Sequence, residues 1–163
     1  MTLHFNFDGF RALLVLVLVF LAAPASGALA QQYHNGNLGF TVDVPAGLAE
    51  YQSVISPDGI TLTSPDGLAV VSIFGSRNEA GRSLSAITEA YKHDVSDAEF
   101  TYEWRGRDAA VLSGYQAGDI FYVRIAMSPD RSRAAVLSMI YAPELKVQLD
   151  PVVSRLSTSL SIR

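Results

Sequence analysis

Three apolar runs separated by short polar breaks dominate the second half of the chain: Ala109–Tyr115, Ile120–Met127 and Arg133–Tyr141. The breaks, Gln116-Ala117-Gly118-Asp119 and Ser128-Pro129-Asp130-Arg131, carry turn residues, so three consecutive antiparallel strands are expected. Alternation places Phe121, Val123, Ile125 and Met127 on one face of the middle strand. Ile120, Tyr122 and Ala126 take the other, with Arg124 its sole charge. The third strand is apolar on both sides, with Val136 and Ile140 opposed to Leu137, Met139 and Tyr141. Strands without a polar face are normally covered on both faces. These strands therefore belong in the middle of a sheet, with helices or a second layer on each side.

Earlier in the chain, Gly39–Val44 alternates strictly and predicts a half-buried strand, stopped by Pro45 and Gly47. Ser-Pro-Asp-Gly occurs at Ser56–Gly59 and Ser64–Gly67, and Ser128-Pro129-Asp130 begins a third copy. One carboxylate and one proline per repeat make these hairpin turns rather than calcium loops. They delimit strands at Ile60–Thr63 and Leu68–Phe74, after a weaker strand signal at Val54-Ile55. A helix is expected over Ser83–Val95, capped by Ser83, with Leu84, Ile87, Tyr91 and Val95 on one stripe. Glu99–Arg105 returns to period two, with Phe100, Tyr102 and Trp104 opposite Thr101, Glu103 and Arg105. Beyond Pro143, a stripe from Leu145 to Leu160 predicts a last helix, which either kinks at Pro151 or divides there. The order is that of an α+β fold: an antiparallel sheet of about six or seven strands sandwiched by helices.

The first thirty residues do not belong to that pattern. Ala12–Ala23 is an apolar core of about a dozen residues, short for a membrane span, followed by Ala28-Leu29-Ala30. We read 1–30 as a signal peptide cut before Gln31, 31–38 as a flexible start, and 39–163 as a single domain. Periplasmic residence is expected, or secretion where there is no outer membrane, with no membrane attachment after cleavage. The chain has no cysteine, so no disulfide, and lysine occurs only at positions 92 and 146 within a net charge of −4. A basic patch for nucleic acid is thereby disfavoured.

Several stretches resemble a bacterial exported family: GFTVDVPAG, Trp104 before a glycine turn, SGYQAGDIFYVR and YAPELKVQLDPVVSRLSTSL. That family resembles the PsbP-like α/β/α sandwich, named for an extrinsic subunit of photosystem II and shared with a nuclear-import factor that binds the GTPase Ran. The resemblance spans Gly39–Ser161. It implies the fold and a role in docking, and it supplies no catalytic motif to transfer.

The inventory of reactive groups is short. Beyond the leader only His34 and His93 occur, there is no G-x-S-x-G elbow, no H-E-x-x-H spacing and no phosphate-binding loop. Neither a catalytic residue, a metal nor a cofactor is assigned. Asp43, Glu99 and Glu103 leave a carboxylate-dependent hydrolase as the least favoured reading. The residues least like plain core are Trp104, Arg105, Arg107, Tyr115, Tyr122 and Arg124. Aromatic and arginine side chains are enriched at interfaces, and pairing of the strands in order would bring Trp104 towards Tyr115. The same residues read alternatively as core aromatics with polar tips at the rim and solvated arginines. The preferred expectation is a non-enzymatic accessory domain that binds a periplasmic protein partner. The alternative is a carrier or sensor for a small apolar ligand, held between sheet and helix.

Overall fold

A computed structural model describes residues 31–95 and 97–163; the expected signal peptide lies outside the described residues. The strands are β1 (Gln31–Asn35), β2 (Phe40–Val44), β3 (Gln52–Ser56), β4 (Gly59–Thr63) and β5 (Ala69–Arg77), followed by helix α1 (Leu84–Asp94). Then come β6 (Glu99–Arg105), β7 (Ala109–Gln116), β8 (Asp119–Met127), β9 (Arg133–Tyr141), helix α2 (Lys146–Ser159) and the two-residue β10 (Ser161–Ile162). Seven strands form one antiparallel sheet in the order β3-β4-β5-β9-β8-β7-β6, and β1-β2-β10 form a second, small sheet. This is the α+β sandwich expected from the sequence.

The topology follows from the hydrophobic pattern. The chain meanders through β3, β4 and β5, crosses by α1 to the far edge at β6, then meanders back until β9 meets β5. That last pairing runs unbroken from Ala69 opposite Tyr141 to Arg77 opposite Arg133. β9, with no polar face, is the central strand of the seven.

Two cores press on the sheet from opposite sides. Leu84 of α1, with Ile87 and Tyr91 beside it, packs on Leu112, Phe121, Val123 and Ile125. Ser83 caps α1 as predicted, accepting a hydrogen bond from Ala86 N. On the other face, Leu149, Val152 and Leu156 of α2 and Phe40 and Val42 of β2 pack on Val71, Ile73, Leu137 and Met139. The final helix neither divides nor ends at Pro151. A short 3-10 turn at Pro143–Leu145 leads into α2, which continues through the proline. Pro151 and Val147 both lie on its exposed side, where the carbonyl that Pro151 cannot bond reaches water.

The segment expected as a flexible start is instead β1, paired residue by residue with β2 from Gln31 opposite Val44 to Asn35 opposite Phe40. Its strand order comes from pairing and from Asn35, whose buried amide donates to Pro57 O (3.0 Å) and accepts from Leu38 N (3.0 Å).

The three Ser-Pro-Asp repeats are turns, and they are wired differently. In the second and third, serine donates to aspartate, Ser64 to Asp66 and Ser128 to Asp130, both at 2.6 Å. Each aspartate also accepts a backbone N–H, from Leu68 or Ser132. In the first, Ser56 Oγ accepts from Gly59 N, and the Asp58 carboxylate has no hydrogen-bond partner among the described residues. The Ser128 hydroxyl, then the Ser132 N–H and hydroxyl, hold the Asp130 carboxyl down to about 2, against an ordinary value of 3.8. Because the folded value is depressed, this carboxylate stabilises the fold above the ordinary value, and the contribution is lost as pH falls towards 2. Asp130→Asn is therefore expected to flatten the loss of stability in this acid window, measured by urea unfolding at successive pH values. An unchanged slope would contradict the assignment.

Candidate functional site

The candidate site grows from an irregularity in edge strand β6. Phe100 stands opposite Gly114 and Tyr102 opposite Ser113, so Thr101 is an extra residue without a partner. A Cβ on Gly114 would meet Glu99 O at 1.8 Å, so only glycine lets the β6 backbone approach this closely. A bulge of one residue reverses which way the following side chains point. Phe100 accordingly joins the α1 core, edge-to-face with Phe121 at 5.4 Å between ring centres and with Lys92 Nζ 5.5 Å from its own. Glu103 and Arg105 point to the same side, whereas Tyr102 and Trp104 point to the α2 side. The expected common face for Phe100, Tyr102 and Trp104 is thus corrected: the bulge separates the first from the other two.

Arg105 consequently leaves the candidate group. It donates to Ser85 (2.8 Å), Glu89 (3.0 Å) and Glu103 (3.0 Å), tying the edge of the sheet to α1. Lys92 donates to Glu103 at 3.0 Å and is the main reason the Glu103 carboxyl lies below its ordinary range. Arg107 sits in the β6–β7 turn, exposed, 3.9 Å from Asp108.

The other four candidates share the α2-side face. The sheet register sets Trp104, Val111, Arg124 and Leu137 in one row, and Tyr102, Ser113, Tyr122 and Met139 in the next. Tyr115 lies further along β7, opposite Ile120. Trp104 and Tyr115 therefore share a face without touching rows, since Val111, the partner of Trp104, is four residues from Tyr115. Tyr102 and Tyr122 occupy the row next to that of Trp104. Tyr102 is the site residue that sequence reasoning left out; the bulge that turns it to this face has no signature in period-two alternation.

Helix α2 reaches this face only as far as β8, where the Tyr122 hydroxyl and Ser157 Oγ are 2.6 Å apart. Beyond that line no described helix or strand covers the sheet. Tyr102 is 53% exposed, Trp104 45% and Tyr115 44%, while Val111 between Trp104 and Arg124 is buried. Arg124 is half-buried, two strands from Trp104 in the same row, and its Nε is buried with no hydrogen-bond partner among the described residues. A buried donor left unsatisfied costs about 1–3 kcal/mol.

The remaining candidates are dispersed. His93 lies on the exposed side of α1, 3.9 Å from Asp94, and His34 stands on β1 opposite Thr41. Asp43 is paired with Arg155 of α2, so it and Glu103 belong to different sheets and each has its own cation. No group of three His, Asp or Glu able to hold a metal occurs among the described residues, and no described helix is long and apolar enough to cross a membrane. A cleft of about 360 Å³ opens between β1 and the β3–β4 hairpin, lined by Tyr33, Val44, Leu48, Ile55, Ile60 and Leu62 among others. Neither α1 nor α2 lines it.

A seven-stranded antiparallel sheet between two helices, joined by the β5–β9 pairing, is the PsbP-like sandwich. The solution structure of cyanobacterial PsbP (CyanoP) from Synechocystis sp. PCC 6803 matches it with a TM-score of 0.63 at 12% identity, covering 86% of this chain and 96% of that one. The Ran-binding protein Mog1p of Saccharomyces cerevisiae matches with a TM-score of 0.56 at 6% identity, covering 82% and 95%. At such identities the likeness is one of fold. No family model matches the chain, and no curated protein matches it by sequence.

Two substitutions test this geometry. A Cβ on Gly106 would meet the Trp104 ring at 2.6 Å, so Gly106→Ala should displace the indole and shift the emission of this sole tryptophan. Far-ultraviolet circular dichroism should be unchanged; an unmoved emission maximum would place the ring elsewhere. Tyr122→Phe removes the hydroxyl from Ser157 and should lower urea stability by about 1 kcal/mol at unchanged m value.

Proposed function

We propose that the protein is an exported, non-enzymatic docking domain that binds a protein partner through Tyr102, Trp104, Tyr115, Tyr122 and Arg124. The observation that carries this reading is the set of exposed aromatics, Tyr102, Trp104 and Tyr115, on the face of the sheet that α2 does not reach. Binding hot spots combine these residue types, and the half-buried Arg124, in the same row as Trp104, suits a carboxylate of the partner. The N-terminal thirty residues, read as a leader, support export to the periplasm. Mog1p, a Ran-binding protein of the same fold, supports a role in binding another protein. Two of the three carboxylates offered for hydrolysis, Asp43 and Glu103, are already matched by arginine or lysine and lie in different sheets, which favours binding over catalysis.

The test is in-cell crosslinking of the tagged full-length chain behind its own leader, with mass-spectrometric identification of what it captures. One saturable partner is expected in the periplasmic fraction. Trp104→Ala combined with Arg124→Ala should weaken its capture by roughly 30-fold or more. Arg124→Met should lose the partner yet melt no lower than the parent, because it removes an unsatisfied buried donor. Full capture by a folded double variant would overturn the site, and retention of the chain in the cytoplasm would overturn the export.

A further inference from the structure

The two outer strands of the seven-stranded sheet differ in kind. β6 closes its edge with Glu99, Glu103 and Arg105 and with the bulge at Thr101, devices that stop an edge from accepting another strand. β3 at the opposite edge has none of them. It reads Gln-Ser-Val-Ile-Ser, without charge, proline or bulge, and pairs with β4 in unbroken register. Val54 and Ile55, on opposite faces, are 69% and 68% exposed. Ile55 and Ser53 form one rim of the cleft whose far wall is β1 and whose floor includes Ile60 and Leu62. An outer strand has one row of backbone N–H and C=O groups directed away from the sheet, and nothing in the β3 sequence discourages a further strand there.

The charges at its ends select what that strand is. Glu50 and Asp58 bracket β3, and neither forms an ion pair among the described residues. A second copy laid antiparallel about Val54 would set Glu50 and Asp58 of opposite copies against each other at both ends, and like charges directly opposite are destabilising. A strand that is β-branched in its middle and basic at both ends meets the uncharged centre and both carboxylates. We propose that β3 accepts such an extended segment of another protein as an eighth strand, with alternate side chains entering the cleft beside Ile55. In this mode main-chain hydrogen bonds give affinity and alternate side chains give specificity. The surface is at the opposite edge of the sheet from Trp104, so the inference does not rest on the function proposed above.

The probe is a fluorescent peptide with a Thr-Val-Thr-Val-Thr centre and two lysines on each side, titrated by anisotropy into the protein purified after expression of the full chain. The control peptide has glutamates in place of the lysines. Saturable binding of the lysine peptide is expected, with the glutamate peptide weaker by about tenfold or more, as two reversed charge pairs imply. Glu50→Lys with Asp58→Lys should invert that preference. Ile55→Lys should reduce binding of the lysine peptide, whereas Trp104→Ala with Arg124→Ala should leave it unchanged. Equal binding of both peptides, a preference that survives the charge reversal, or no saturable binding would overturn the proposal. A dimer in sedimentation equilibrium that Ile55→Lys dissociates would overturn the choice of a foreign strand over a second copy.

Discussion

The pairing of β9 with β5 is the contact on which the rest of this structure depends. It joins two meanders that are otherwise separate in sequence, β3–β5 and β6–β9, and it is the only ladder in the large sheet that does so. Both cores rest on it. Val71, Ile73, Leu137 and Met139 of these two strands lie beneath α2 and the small sheet, while Val136 packs into the α1 core from the other face. Loop closure across the intervening helix and three strands must precede this ladder, and that cost is recovered only when both layers close over it. A sheet assembled this way has its most apolar strands in the centre and leaves its two outermost strands free to differ.

Much of this arrangement is legible in the chain because burial and alternation act together there. β7, β8 and β9 stand close to their expected bounds, and β9 is central for the reason its composition gives, a lack of any polar face. The Ser83 cap and the Ser-Pro-Asp turns are local chemistry and could be read locally. What escapes is structure imposed from a distance. β1 is polar along its length, so only its pairing with β2 marks it as a strand. The helix through Pro151 survives because the lost hydrogen bond faces solvent, a matter of how α2 sits on the sheet.

The candidate site divides along the same line. Trp104, Tyr115, Tyr122 and Arg124 were legible as aromatic and cationic side chains out of keeping with a plain core. Their common face required a register that composition does not specify. Thr101 decides it: one residue without a partner sends Arg105 to α1, where its charge is matched, and sends Tyr102 and Trp104 to the uncovered face. Arg124 shows the reverse case, since alternation alone predicted a lone charge on an otherwise apolar face, and the structure leaves its Nε without a hydrogen-bond partner among the described residues.

The twist of the sheet adds a consequence of its own. Six interstrand steps separate β3 from β6. At about 4.8 Å and about 20–25° per step, the two outer strands stand roughly 29 Å apart and are rotated by roughly 120–150° relative to each other. The uncovered face beside β6 and the bare rim of β3 therefore look in divergent directions, on opposite sides of a rigid, doubly packed slab. Two macromolecules held there at once would be kept crosswise and out of mutual contact, with their separation set by strand count and their relative angle by backbone chirality.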